Sequence, residues 1–133
     1  MYADGQIDPT KSLRLLSNFV HEFLYRGVHA LHPALADARR GIVRPADVGS
    51  TLSAADHNAG GYSDRSPYTS WTSDEATALK HARWHGSGGI LLRVSSGSPE
   101  TGDDWSWEFS PDSYFEDEML LRGIRLNVEA IQV

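Results

Sequence analysis

The chain contains no cysteine. That excludes disulfides, thiolate nucleophiles and cysteine-based zinc sites, and it suits a reducing compartment. No apolar run approaches the ~20 residues needed to cross a bilayer, and the polar opening "MYADGQIDPT" has no signal-peptide pattern. Positive charge is missing from one long stretch. Between Val94 and Leu121 there are eight acids (Glu100, Asp103, Asp104, Glu108, Asp112, Glu116, Asp117, Glu118) and no Lys or Arg. Backbone contact with nucleic acid calls for a broad basic face, which this half cannot supply. A basic protein surface suits it better, beside the plainer reading of solvated loop charge. What is present is ordinary: 133 residues, 40% of them hydrophobic, with net charge −6. This is enough for one compact domain with a buried core. With no repeat and no linker, a single domain over 1–133 is expected, its first eight residues flexible.

The hydrophobic pattern divides the chain. Asp8-Pro9 is a helix start, a capping Asp followed by Pro at the first helical position, and Leu13, Leu16, Val20 and Phe23 follow at helical spacing. "FLYRGVH" reads as a strand with Leu24, Arg26 and Val28 on one face and Tyr25 and Gly27 on the other. "HPALADARRG" reads as a short helix stopped by Gly41. Residues 42–67 lack periodicity and read as a long loop. A strand over 68–72, a helix over 74–85, and strands in "GGILLRVS", "WSWEF", "MLLRG" and "IRLNVEAIQV" follow, the last with Ile124, Leu126, Val128 and Ala130 sharing a face. Short helices among mostly consecutive strands predict an α+β domain with antiparallel sheets.

Three stretches carry candidate chemistry. Arg26 lies inside an otherwise apolar strand, where its desolvation needs a partner; its planar fork suits phosphate or carboxylate. The next residue, Gly27, would let a ligand approach the backbone. In "YTSWTSDEATALKHA" four hydroxyls crowd a strand-to-helix junction. Ser73 or Asp74 can cap the helix, while Ser70 and Thr72 share one strand face, and Thr69 fits by strand propensity alone. In "YFEDEMLLRG" Glu116 and Glu118 share a face in extended backbone and repel one another; a charged strand edge is the bland alternative. His81 and His85 share a helical face, but the Glu of zinc-protease helices is missing, so no metal is expected.

In this order, "YRG", "SWT" leading into "DEATALKHA", and "EDE" before a strand resemble the ADP-ribosyltransferases of the Arg–Ser–Glu class, cholera-toxin-like and arginine-modifying, which include bacterial polymorphic toxin domains. The resemblance spans residues 24–133. It implies two small antiparallel sheets packed crosswise around an NAD cleft. It gives Arg26 the NAD phosphates, Gly27 the nicotinamide carboxamide, Ser70 and Thr72 the nicotinamide ribose, and Glu118 the ribose 2′-hydroxyl at the reacting sugar. Glu116 would activate the acceptor, and Tyr114 and Phe115 would meet the target. Trp71 stands where the family has the middle Thr of its Ser-Thr-Ser motif, and "MLLRGI" is shorter than the family's linker. The resemblance implies a toxin or effector acting in the cytoplasm of a target cell, delivered as part of a larger toxin, with a cognate immunity protein as a further partner. The Glu-x-Glu pair favours a protein arginine as acceptor. RNA, water (NAD glycohydrolase activity) and an inactive interaction domain are the alternatives.

Overall fold

The computed structural model describes residues 23–59, 65–95, 104–109 and 118–133. The helix expected after Asp8-Pro9 lies outside them except at its last position, Phe23, which is extended instead; Tyr114, Phe115 and Glu116 also lie outside them. The described residues form a mixed α+β domain. Six strands make one sheet: β1 (Phe23–Val28), β2 (Tyr68–Thr72), β3 (Ile90–Ser95), β4 (Trp105–Phe109), β5 (Glu118–Gly123) and β6 (Glu129–Gln132). Their spatial order is β4-β5-β2-β1-β3-β6, and every neighbouring pair is antiparallel. Three short helices accompany them: α1 (Leu35–Arg39), α2 (Ala54–Ala59) and α3 (Glu75–Ala82).

Where two sheets were expected there is one ladder, with a weak seam in its middle. β1 pairs with β3 along its whole length, from Phe23↔Ser95 to Val28↔Ile90, and β2 pairs with β5 from Tyr68↔Arg122 to Thr72↔Glu118. Between β1 and β2 there is a single registered pair, Tyr25↔Thr72. That pair keeps the two three-stranded halves in one sheet. Beyond it the strands do not pair, so backbone groups at the seam need other partners.

The alternation read from the sequence fixes what each face does. Leu24 and Val28 of β1, Trp71 of β2, Leu92 of β3, Trp107 of β4, and Met119 and Leu121 of β5 build the main core, which Ala38 of α1 joins. Trp71 and Trp107 meet edge to face at 5.5 Å and 89°, an arrangement worth about 0.5–1.5 kcal/mol beyond area burial. On the opposite face Tyr25 and Leu91 pack against Ala78 of α3. The helix lies so close to β1 that a Cβ at Gly27 would sit 2.0 Å from the Ala78 carbonyl oxygen and 2.7 Å from the Ala82 nitrogen. The missing side chain of Gly27 therefore seats α3, a packing role that the sequence did not indicate.

Several boundaries move for identifiable reasons. Gly41 does stop α1, at φ 71°, a backbone conformation that costs other residues. The last strand begins only at Glu129, because Asn127 adopts φ 60° and breaks the extended run. Leu126 is consequently 57% exposed, while Val128 is buried. The stretch 42–67, expected to be all loop, contains α2. Its signal is a reciprocal cap: Ser53 Oγ accepts from the Asp56 N–H (3.1 Å) and Asp56 Oδ2 accepts from the Ser53 N–H (3.3 Å), the capping-box arrangement with Asp in place of Glu.

Candidate active site

A cavity of about 500 Å³ opens where β1 and β2 part, between the sheet and α3. Its lining includes Arg26, Gly27, Ser70, Thr72 and Glu118, with Asp74, Thr77 and His81 from the α3 side and His29 and His32 from the chain after β1. The size falls within the ~300–1,000 Å³ of small-molecule sites. All five candidate residues among the described ones thus converge on one space.

Arg26 reaches it from the core side. Its neighbours on that face of β1 are Leu24 and Val28, and it is registered opposite Leu92. In these surroundings burial lowers the guanidinium pKa to about 10, so the group still carries its charge at neutral pH. It takes up the unpaired backbone of the seam: Arg26 Nη1 donates to the Ser70 carbonyl oxygen at 3.2 Å. A side chain here substitutes for the missing strand-to-strand bond, and it brings a cation into the cavity wall.

The hydroxyls at the strand-to-helix junction separate into distinct jobs. Asp74, rather than Ser73, is the cap of α3; it accepts from the Ala76 N–H (3.1 Å) and from Thr77 Oγ1 (2.7 Å). The Thr77 hydroxyl, followed by the backbone donors, holds the Asp74 carboxyl below its ordinary range. Thr72 Oγ1 accepts from the Asp74 N–H at 3.0 Å, which tightens the turn while its side chain stays at the cavity. Thr69 is not merely a strand former. It is buried, and its Oγ1 accepts from Trp71 Nε1 at 3.1 Å. Trp71 is 1% exposed and points into the core, as alternation requires. Ser70 is registered beside Leu120, and Thr72 beside Glu118, so the two hydroxyls and the carboxylate occupy one face of the sheet.

His57, which does not line the cavity but contacts Ser70 behind it, is the neighbour of the site that the sequence pattern did not single out. It comes from α2, and its Nε2 lies 3.2 Å from Ser70 Oγ, while its Nδ1 lies 2.6 Å from Ser66 Oγ. The ring rests edge-on against Tyr68, 5.8 Å between centroids. Burial is the main cause holding this imidazole below its ordinary pKa; Glu118 works against that and Arg26 reinforces it. His32 is also pushed down, by burial first and then by Arg26 and His29.

His81 and His85 do not converge on a common point. His81 stacks on Trp84 (6.3 Å, 12°), whereas His85 meets His29 at 4.8 Å. Among the described residues no group of three or more His, Asp or Glu side chains is placed to hold a metal ion. Comparison of the chain with protein-family models, curated proteins and solved structures gives no match.

Proposed function

We propose that the chain is an NAD-dependent mono-ADP-ribosyltransferase, a bacterial toxin or effector domain in kind, with the cavity at the β1–β2 seam as its NAD site. One observation carries this reading: Arg26, Ser70, Thr72 and Glu118, picked from three separate strands, line the same 500 Å³ space. In this proposal the seam is the counterpart of the cleft between two crosswise sheets. Arg26 binds the pyrophosphate, a role suited to a partly buried charged fork tied to the Ser70 carbonyl at the cavity wall. Ser70 and Thr72 face the nicotinamide ribose. Glu118 lies beside them, at the reacting sugar.

The chemistry follows from these placements. The bond between C1′ of the ribose and the nicotinamide nitrogen breaks, and its electron pair neutralises the pyridinium, so the leaving group needs no proton. The ribose becomes an oxocarbenium-like cation. A carboxylate fixed nearby stabilises that charge as it develops. The acceptor's nucleophilic atom then bonds to C1′ and gives up a proton to a base. Gly27 offers main-chain groups at the cavity wall for the carboxamide. Assigning that base to Glu116, and the acceptor to a protein arginine, rests on the Glu-x-Glu spacing in the sequence.

Incubation with labelled NAD and a whole-cell lysate, with label read separately in protein, RNA and free ADP-ribose, tests the reading and ranks the acceptors. Label in protein is expected. Glu118→Gln should lower both transfer and NAD cleavage by about 10²-fold or more, with the fold intact by circular dichroism. Equal turnover by wild type and Glu118→Gln would remove the assignment.

A further inference from the structure

We propose that His57, held by Ser66, is a positioning residue that orients the Ser70 hydroxyl toward the cavity. The inference rests on the NAD-cleaving reading for its catalytic consequence, though not for its geometry. Three elements meet at this point. α2 supplies His57, the segment entering β2 supplies Ser66, and β2 supplies Ser70.

The proton order along the chain can be worked out from the donors present. The Tyr68 backbone N–H donates to Ser66 Oγ at 3.0 Å. Ser66 is 1% exposed, so its own proton needs an acceptor, and His57 Nδ1, 2.6 Å away, is the acceptor available among the described residues. Nδ1 therefore carries no proton, and the neutral ring bears its hydrogen on Nε2. Nε2–H then donates to Ser70 Oγ across 3.2 Å. With one lone pair so occupied, the Ser70 hydroxyl is left to donate its proton into the cavity, to the ribose or to a carboxylate. The reverse tautomer would leave the buried Ser66 proton without an acceptor among the described residues. The hydroxyl that the sequence picked out thus receives its direction from a residue on a different element.

The charge environment gives the arrangement a pH dependence. The groups around the ring are Glu118 from β5 and Arg26 from β1, both felt electrostatically, and the Tyr68 ring from β2. On α2 itself Asp56 is engaged with Ser53. A second proton on His57 would add a cation behind Ser70, in the field of Arg26, and it would offset Glu118 just where positive charge develops on the sugar. Cleavage should fall as the ring protonates, which occurs below the ordinary imidazole value because burial lowers it.

The experiment has a kinetic arm and a spectroscopic arm. His57→Leu removes the donor, whereas His57→Gln replaces Nε2–H with an amide N–H that does not titrate. For NAD cleavage, Leu should lower kcat by about thirtyfold, within the ~10²-fold that a misplaced group costs, with KM changed far less. Gln should restore most of kcat and erase the limb of the pH profile due to His57. An unchanged kcat in the Leu variant, or the same acid limb in the Gln variant, overturns the inference. Independently of any activity, 15N–1H correlation of the imidazole nitrogens in wild type should show the neutral Nε2–H tautomer, with the Nε2 signal displaced in Ser70→Ala. An Nδ1–H tautomer, or a signal indifferent to Ser70→Ala, overturns it as well. A wild type without NAD cleavage would remove the functional reading alone, and the spectroscopic arm would still decide the positioning of Ser70.

Discussion

The two edges of β1 are made from the same six residues and behave in opposite ways. Along its β3 edge every residue from Phe23 to Val28 has a registered partner, while along its β2 edge Tyr25 alone does. The complete edge has α3 seated across it on Gly27, with Tyr25 and Leu91 packed against Ala78. The incomplete edge leaves a main-chain carbonyl for Arg26 to satisfy and a space of about 500 Å³ beyond it. The difference shows how a small sheet can open a cavity within its own ladder. Strand pairing stops for a few residues, and a charged side chain takes over the hydrogen bonding there.

The strongest perturbation should come on the complete edge. Gly27→Ala places a methyl against the backbone of α3, and neither contact is with a flexible side chain that could move aside. We expect a loss of about 3 kcal/mol, at the upper end of overpacking costs, measured by urea denaturation. A change below about 0.5 kcal/mol, the level of an ordinary surface substitution, would mean that α3 is not seated as described. Arg26→Met tests the other edge. It removes the charge and keeps the bulk. NAD cleavage should fall about 10²-fold, while stability should move by no more than ~1.5 kcal/mol, because a modest hydrogen bond is lost along with a desolvated charge. Parallel losses of stability and activity would make Arg26 a structural residue only. Smaller again is Asp74→Ala, which removes the α3 cap at the mouth of the cavity. About 1 kcal/mol is expected. The folded carboxyl pKa is depressed, so this stabilisation is present above the ordinary carboxylate value of 3.8 and fades as pH falls through the lowered one. A difference from wild type that survives below that range would point to helix propensity instead of the cap.

Much of the strand content was legible because alternation is local. Leu24, Arg26 and Val28 were read onto one face and are found there, and Ser70 and Thr72 share the other. What could not be read is which edges meet. The order β4-β5-β2-β1-β3-β6 brings residues 26, 70 and 118 together, and no local period encodes that order. Gly27 shows the limit of residue-type reasoning. A glycine signals that something approaches closely, but not whether it is a ligand or a helix. His57 was hidden for a different reason. Its helix is only six residues long, too short for a hydrophobic period, so the capping pair Ser53 and Asp56 was the only usable signal. Leu126 was misplaced because one left-handed residue, Asn127, cancels the alternation on which its assignment depended.

The smallest expected effect sharpens the comparison through a second arginine. Arg93 and Glu129 are registered partners across β3 and β6, on the fully paired half of the sheet. The pair is bidentate, Nε at 2.6 Å and Nη2 at 2.9 Å, and Arg93 also lies over the Phe23 ring at 4.4 Å. Its geometry is better than that of Arg26, yet both side chains face water, where Coulomb attraction is weak and the entropy of two long side chains opposes it. Glu129→Gln should therefore shift the denaturation midpoint less than Asp74→Ala does. The shift should vanish near about 1 M salt, where the screening length is ~3 Å. The Arg93 hydrogen bond is the main reason the Glu129 carboxyl is held low. Its contribution is thus complete above the ordinary value of 4.5 and is lost as pH falls through the depressed one. A shift that ignores salt would transfer the stabilising role from the ion pair to the packing of Arg93 on Phe23. Arg26 would still differ, because its charge is held in a desolvated wall rather than neutralised at a surface.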